Sequence, residues 1–354
     1  MVSRKVKVGN LILGGGAPVR VQSMTNTRTK NVGKTVAQIK ALEKLGCELI
    51  RCGIPDMESA LALKAIKKKI HIPLVADIHY DYRLALEAMK AGADKIRINP
   101  GNIGSEEKVK AIIEEAKNRA VAIRVGVNSG SLKQNVKYVL TEKCENERAN
   151  KMVASLMEHI IFFEKNTFKD IVVSLKASDV PTTIEAYKLF SKYRDYPLHI
   201  GVTEAGTELS GTIKSAAGLG ILLYQGLGDT LRISLTAAPE KEIYVAYRLL
   251  SDLNLRHRGV EIISCPTCAR TEIDVIKLAH SVEKMTMQTD KYMKVAVMGC
   301  SVNGPGEARE ADIGVAGGRG IGLIFKKGKI IKKVPKEKLL KEFEKEFKKA
   351  LKEK

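Results

Sequence analysis

Lys95-Ile96-Arg97-Ile98-Asn99-Pro100-Gly101-Asn102-Ile103-Gly104 is a short β-branched run that ends in polar residues and breaks at Pro-Gly. It leads into residues 106–118, where apolar side chains recur at three- and four-residue intervals. The pattern reads as strand, loop and helix. Arg97 and Asn99, two residues apart, share one face of the strand, and the flanking isoleucines take the other. One face is apolar and the other carries chemistry.

The same unit recurs along the chain. Strands are expected over Val19 to Met24, Glu48 to Gly53, Pro73 to Ile78, Lys95 to Asn99, Ala122 to Val127, Ile171 to Lys176, Leu198 to Thr203 and Thr230 to Leu235. Helical patterns follow them, among them Thr35 to Lys44, Glu106 to Asn118, Asn150 to Phe163 and Glu240 to Leu250. Eight repeats of strand then helix predict an α/β fold, a closed (β/α)8 TIM-type barrel. An open doubly wound sheet has the same periodicity, but no Gly-x-Gly-x-x-Gly follows the first strand. An N-terminal hairpin turning at Gly14-Gly15-Gly16 precedes the barrel. Past Leu253 a polar linker, 254–259, leads to a cysteine-bearing segment. A strand from Asp312 to Ala316 and two strands around Gly328 then form a small meander. The expected division is a barrel over 1–255 and a smaller α+β domain over 256–354.

A chain of 354 residues, 44% hydrophobic and 28% charged, is long enough for such a core and unlike a disordered protein. It has no apolar run long enough to span a bilayer, and Met1-Val2-Ser3-Arg4-Lys5 lacks a signal core, so the cytoplasm is the expected location. The net charge of +20 admits nucleic-acid binding, an acidic substrate or a lysine-rich surface. Much of the excess lies beyond Lys326, where Leu340, Phe343, Phe347 and Leu351 mark an amphipathic helix with a solvated basic face. That tail lacks the interleaved aromatic and arginine platform on which single strands stack. Neither a nucleic acid nor a membrane is therefore an expected partner.

In a (β/α)8 barrel the active site is built at the C-terminal ends of the strands. Here those ends carry Arg51, Asp77, Arg97 with Asn99, Arg124 with Asn128, Lys176, Thr203 with Glu204, and Arg232 with Ser234. One arginine at a strand end has a bland reading as a surface charge; five converging cations do not. Gathering them around one cavity is costly unless an anion neutralises them, and the guanidinium fork matches phosphate oxygens. A diphosphate-like substrate is the expected ligand.

Six cysteines are too few for a disulfide framework in a chain of this length. Cys265-Pro266-Thr267-Cys268 is a Cys-x-x-Cys, and Cys300 follows within a segment ending in Glu307. Structural zinc usually takes four Cys or His ligands, while a cubane cluster accepts three cysteines and a weaker fourth donor. His257 is the nearby candidate to complete a zinc set, and a thioredoxin-like dithiol is a third reading. Cys47, Cys52 and Cys144 read as ordinary thiols.

The segments Val21 to Thr27, Ala76 to His79, Lys95 to Gly104, Cys265 to Cys268 and Val302 to Glu307 together resemble the 4-hydroxy-3-methylbut-2-enyl diphosphate synthases along nearly the whole chain. The resemblance implies reductive opening of 2-C-methyl-D-erythritol 2,4-cyclodiphosphate in isoprenoid precursor synthesis, with two electrons delivered through a [4Fe-4S] cluster. It implies Cys265, Cys268, Cys300 and Glu307 as cluster ligands and the polar strand-end residues as substrate contacts. Glu204 is then the candidate proton donor or charge stabiliser, and Asn303 a residue that steers the substrate. Ferredoxin or flavodoxin is implied as electron donor, and a head-to-tail homodimer as the assembly. The family's Cys-Gly-Arg continuation is Cys268-Ala269-Arg270 here, which touches no ligand. The alternative that shares the charge and the cysteines is a basic, zinc-stabilised RNA-binding protein.

Overall fold

The computed structural model describes residues 2–131, 136–287, 289–300, 308–318 and 320–354. Contacts divide the chain into Met1–Arg256 and His257–Lys354.

The first unit is a (β/α)8 barrel. Its strands are β3 (Arg20–Met24), β4 (Leu49–Gly53), β5 (Leu74–Asp77), β6 (Lys95–Ile98), β7 (Ala122–Asn128), β8 (Ile171–Lys176), β9 (His199–Ile200) and β10 (Thr230–Leu231). All neighbours pair in parallel in the order β8-β7-β6-β5-β4-β3-β10-β9. A parallel bridge between Val173 and Leu198 joins the two ends and closes the cylinder. The helices between strands include α1 (Val32–Lys44), α2 (Met57–Lys67), α3 (Tyr82–Lys90), α4 (Pro100–Ile103), α5 (Glu106–Arg119), α6 (Glu147–Lys165), α7 (Val180–Tyr193), α8 (Glu208–Tyr224) and α9 (Pro239–Asp252). Several start at a side-chain cap: Asn31, Asp56, Asn146 and Asp179 each accept a hydrogen bond from the amide three residues on.

A two-stranded hairpin, β1 (Val6–Val8) and β2 (Leu11–Leu13), precedes the barrel. Its turn is Gly9-Asn10, with Gly9 at φ +57, and not Gly14-Gly15-Gly16 as expected. Val8 pairs with Leu11, which leaves a two-residue turn whose backbone needs positive φ; the triple glycine follows the second strand. Val6, Val8 and Leu13 pack against Leu49, Val75, Ala122 and Val172 from the beginnings of four barrel strands. The hairpin therefore plugs the N-terminal end of the cylinder with aliphatic groups and leaves the polar interior to the other end.

The seventh and eighth strands are shorter than their apolar runs suggested. Single hydrogen bonds continue, from Arg232 N to Ile200 O and from Thr203 N to Ala177 O, both 3.1 Å. Positive φ at Glu204 and Gly206 then turns the chain out of the ladder. The division after Arg256 falls within the expected 254–259 linker. Arg256 Nη1 donates to Val19 O and to Glu48 Oε2, which ties it to the barrel.

The second unit is an α+β domain. Its sheet runs β11 (Val260–Ser264), β12 (Met293–Met298), β13 (Ile313–Gly317), β14 (Ile321–Lys326) and β15 (Lys329–Pro335). The meander of the last three is antiparallel, while β11, β12 and β13 pair in parallel, a mixed order that the short runs did not disclose. Helix α10 (Val275–Thr286) and the C-terminal helix Leu339–Glu353 pack on it. The buried stripe of the last helix is Leu339, Phe343, Phe347 and Ala350, whereas Leu340 faces outward. Lys345, Lys348 and Lys349 pair with Glu342, Glu344 and Glu346 of the same helix.

Candidate active site

Parallel pairing sets Asp77 beside Arg97, and Arg97 beside Arg124. Asn128 is likewise the register partner of Lys176. The consequence is a ring of charges at the C-terminal end of the barrel. Asp77, 3% exposed, lies at its centre, with Arg97 Nη1 at 3.1 Å and Arg51 Nε at 3.6 Å. Burial alone would raise the Asp77 carboxyl, but Arg51, Arg97, Arg124 and His79 together hold it below the usual carboxylate range. Arg232 is gripped by Glu242 from α9, with Nη2 to Oε1 at 3.2 Å and Nε to Oε2 at 3.3 Å. Met24 supplies a sulfur to both guanidinium groups, 2.9 Å from Arg51 Nη2 and 3.6 Å from Arg232 Nη1.

Arg124 is 1% exposed, and its Nε and Nη1 have no hydrogen-bond partner among the described residues; the same holds for Arg97 Nε. Buried donors of this kind are rare in folded proteins and point to a missing acceptor. Two glycines make the room. A Cβ at Gly126 would stand 2.7 Å from Ser174 Oγ, and one at Gly201 would stand 2.5 Å from Lys176 Nζ and 2.8 Å from Arg232 O. Lys176 is buried, and burial together with the neighbouring arginines pushes its ammonium well below the usual lysine range. Arg51, Arg97, Arg124, Lys176 and Arg232 thus share one electrostatic cluster with Asp77 and Glu242 as its carboxylates.

The remaining strand-end residues lie around this cluster. Asn99 is buried and caps α4 through Gly101 N. Thr203 and Ser234 are half-buried past the ends of β9 and β10, and Glu204 is exposed with φ +53. A glutamate in the left-handed region is held against its own preference, as residues at functional sites often are.

Among the described residues, the reading of strand ends missed Met24, Glu242, Lys95, Gln22 and His199. Lys95 could have been found by stepping back two residues from Arg97 along the same face. Glu242 sits in the first turn of the eighth helix, a place the strand-end rule does not examine.

In the second unit, Cys265 directly follows β11 and Cys300 lies just past β12, the parallel neighbour of β11. Gly299 N donates to Cys265 Sγ at 3.1 Å, and Thr271 Oγ1 accepts from Cys268 N at 3.2 Å. The amide and side chain of Arg270 hold the exposed Cys268 thiol below its ordinary range. All six cysteines are free. Sulfur donors on adjacent strand ends, with amide and guanidinium hydrogen bonds that favour thiolate, suit an iron–sulfur group. Among the described residues, however, no three His, Cys, Asp or Glu side chains are gathered into a metal-holding group. Asn303 and Glu307 lie outside the described residues. Cys47 and Cys52 are buried in the barrel, where burial pushes their thiols up to about 12 and about 11.

A family model described as the GcpE TIM-barrel domain matches residues 3–247, and one described as the GcpE protein C-terminal domain matches residues 261–349. The chain belongs to the GcpE family. A GcpE relative from Caldanaerobacter subterraneus subsp. tengcongensis, named 4-hydroxy-3-methylbut-2-en-1-yl diphosphate synthase (flavodoxin), is 57% identical over 99% of this chain and 98% of its own length. A protein of the same name from Fusobacterium nucleatum is 56% identical over 97% of this chain and 96% of its own. Among solved structures, dihydropteroate synthase from Stenotrophomonas maltophilia has a TM-score of 0.53 at 12% identity, covering 71% of this chain and 97% of that one. That likeness is one of barrel fold. No described helix of this GcpE chain is long and apolar enough to cross a membrane.

Proposed function

We propose that this chain is an enzyme that reductively opens 2-C-methyl-D-erythritol 2,4-cyclodiphosphate to 4-hydroxy-3-methylbut-2-enyl diphosphate. Relatives above one-half identity along the full chain carry the synthase name. The observation that carries the reading to this chain's own residues is the buried cation ring with its unpartnered guanidinium nitrogens. Flavodoxin, named in those relatives, is the electron donor in this reading, with ferredoxin the other donor the resemblance implies.

Cys265, Cys268, Cys300 and Glu307 would hold a [4Fe-4S] cluster. Bound there, it supplies electrons one at a time and a Lewis-acidic iron. The barrel's share is electrostatic. Two electrons and one proton enter, the ring C–O bond to the diphosphate breaks, and the departing hydroxyl leaves as water. A cyclic diphosphate carries two charges, and the freed diphosphate carries a third on the leaving oxygen. The four guanidinium groups of Arg51, Arg97, Arg124 and Arg232, with Lys176 beside them, outnumber Asp77 and Glu242, so the ring favours the state with more negative charge. Asn99, Asn128, Thr203 and Ser234 offer neutral hydrogen bonds around that anion, and Glu204 a carboxyl at the rim for the proton. Asn303 is read as steering the substrate.

We read the functional unit as a head-to-tail homodimer. Supporting self-association, α8 exposes Leu209, Ile213, Ile221 and Tyr224 at helical spacing. A cytoplasmic location is supported by thiols that are all free. The zinc-stabilised RNA-binding alternative finds no support, since the relatives are named as the synthase. Anaerobic assay with the cyclic diphosphate and a one-electron reductant tests the activity directly.

A further inference from the structure

Lys95 lies two residues before Arg97 on β6, so its side chain enters the barrel on the same face, one step deeper. It is 0% exposed. Its Nζ reaches Gln22 Oε1 of β3 at 3.4 Å, and among the described residues it has no ion-pairing carboxylate. Arg51 of β4 and Arg124 of β7 face it as like charges. His199 of β9, also fully buried, feels Lys95 as a further like charge, and its Nε2 has no hydrogen-bond partner among the described residues. The rest of the surrounding cluster is Arg97 on its own strand, Arg232 of β10 and the amine of Lys176 of β8. Burial and these arginines also hold the Lys176 ammonium well below the usual lysine range. Asp77 of β5 and Glu242 of α9 are already engaged by Arg51, Arg97 and Arg232.

A charge enclosed this way, beside like charges, is costly to keep. The arginines cannot shed a proton, but an amine can. Burial, reinforced by Arg124 and Arg51, pushes the Lys95 ammonium well below the usual lysine range. A dianion bound in the ring above reverses the local potential and removes the objection to a charge at this depth.

We propose that Lys95 is a neutral amine in the ligand-free barrel and becomes an ammonium when a diphosphate fills the cation ring, so that substrate binding takes up a proton. The identity of that ligand rests on the function proposed above; the neutral state of the free enzyme does not. The proton comes from solvent and no bond to the ligand forms. Once taken up, it also offsets the third charge that ring opening creates.

Two measurements on full-length protein purified anaerobically test this. Calorimetric titration with the cyclic diphosphate near pH 8, in buffers of different ionisation enthalpy, counts protons. The cyclic compound has no group of its own that titrates there. Wild type should take up about one proton more per site than Lys95→Met, and its affinity should fall by up to about tenfold per pH unit through the linked window, a component the variant lacks. Equal uptake in the two proteins overturns the coupling.

The second measurement needs no ligand. With the folded pKa depressed, the unfolded chain binds more protons below about pH 10.5, so wild type loses stability as pH falls from 10 to 7. The Tm of Lys95→Met should rise relative to wild type over that range. A gap independent of pH overturns the neutral amine. Lys95→Gln gives the same reading should the methionine variant not fold. Failure of the cyclic diphosphate to bind wild type, with the Tm gap widening as expected, sinks the coupling and the proposed substrate together and leaves the neutral amine standing.

Discussion

Arg97 Nη1 donates to Asp77 Oδ1 at 3.1 Å across two residues that the β5–β6 register sets side by side. Asp77 is the carboxylate that lets Arg51 and Arg97 stand close together before any substrate arrives. Asp77→Asn should lower stability at neutral pH by on the order of 3 kcal/mol, because it strands buried guanidinium charge. The sign with pH follows from the depressed carboxyl. Its stabilisation is present above the unfolded value near pH 4 and is lost as pH falls through the folded one. The Tm difference between wild type and Asp77→Asn should therefore shrink from pH 6 towards pH 3. Thermal unfolding at a series of pH values measures it, and a constant difference would show that Asp77 carries no such linkage.

The two site glycines should respond unequally to an added methyl. At Gly126 the methyl meets the Ser174 hydroxyl, which can rotate away, whereas at Gly201 it meets both the Lys176 ammonium and the carbonyl of Arg232. Gly201→Ala should weaken binding of the cyclic diphosphate by at least about tenfold, and Gly126→Ala by only a few-fold. Calorimetry on both variants decides, and a reversed order would mean that Lys176 is not placed by the room at Gly201.

Replacing Cys265, Cys268 or Cys300 by Ser should abolish bound iron and activity while the barrel's affinity for the cyclic diphosphate persists, since the thiols belong to a separate compact unit. Glu307→Ala should keep most of its iron and change the electron paramagnetic resonance spectrum. Iron retained at wild-type level in any of the serine variants would remove that cysteine from the ligand set.

A head-to-tail dimer predicts complementation. Arg97→Ala and Cys300→Ser, each inactive alone, should regain about a quarter of wild-type activity after equal mixing and subunit exchange, because about half the dimers are mixed and each holds one intact site. Mixed dimers seen by mass spectrometry without returning activity would exclude sites shared between subunits.

The barrel was legible because strand and helix periods alternate along the chain, and because strands such as β6 and β8 keep one apolar face. Arg51, Arg97, Arg124 and Arg232 could be named because a barrel exposes its strand ends and a cation there needs a reason. Glu242 and Met24 escaped because they act on the arginines from a helix turn and from an apolar residue type, neither of which announces a site. Lys95 and His199 lie one layer too deep for a rule about ends. The hairpin turn was misplaced because a run of three glycines outshone Gly9-Asn10, although pairing distance and not glycine count fixes a two-residue turn.

The most direct test of the central claim is anaerobic turnover of 2-C-methyl-D-erythritol 2,4-cyclodiphosphate by the reconstituted protein, with reduced viologen consumption and product followed together. The expected result is 4-hydroxy-3-methylbut-2-enyl diphosphate at about two electrons per molecule formed, a rate that falls by at least about a hundredfold in Arg232→Ala, and iron content unchanged in that variant. Protein that holds its iron and binds the cyclic diphosphate yet forms no product, or an Arg232→Ala variant that turns over like wild type, would contradict it.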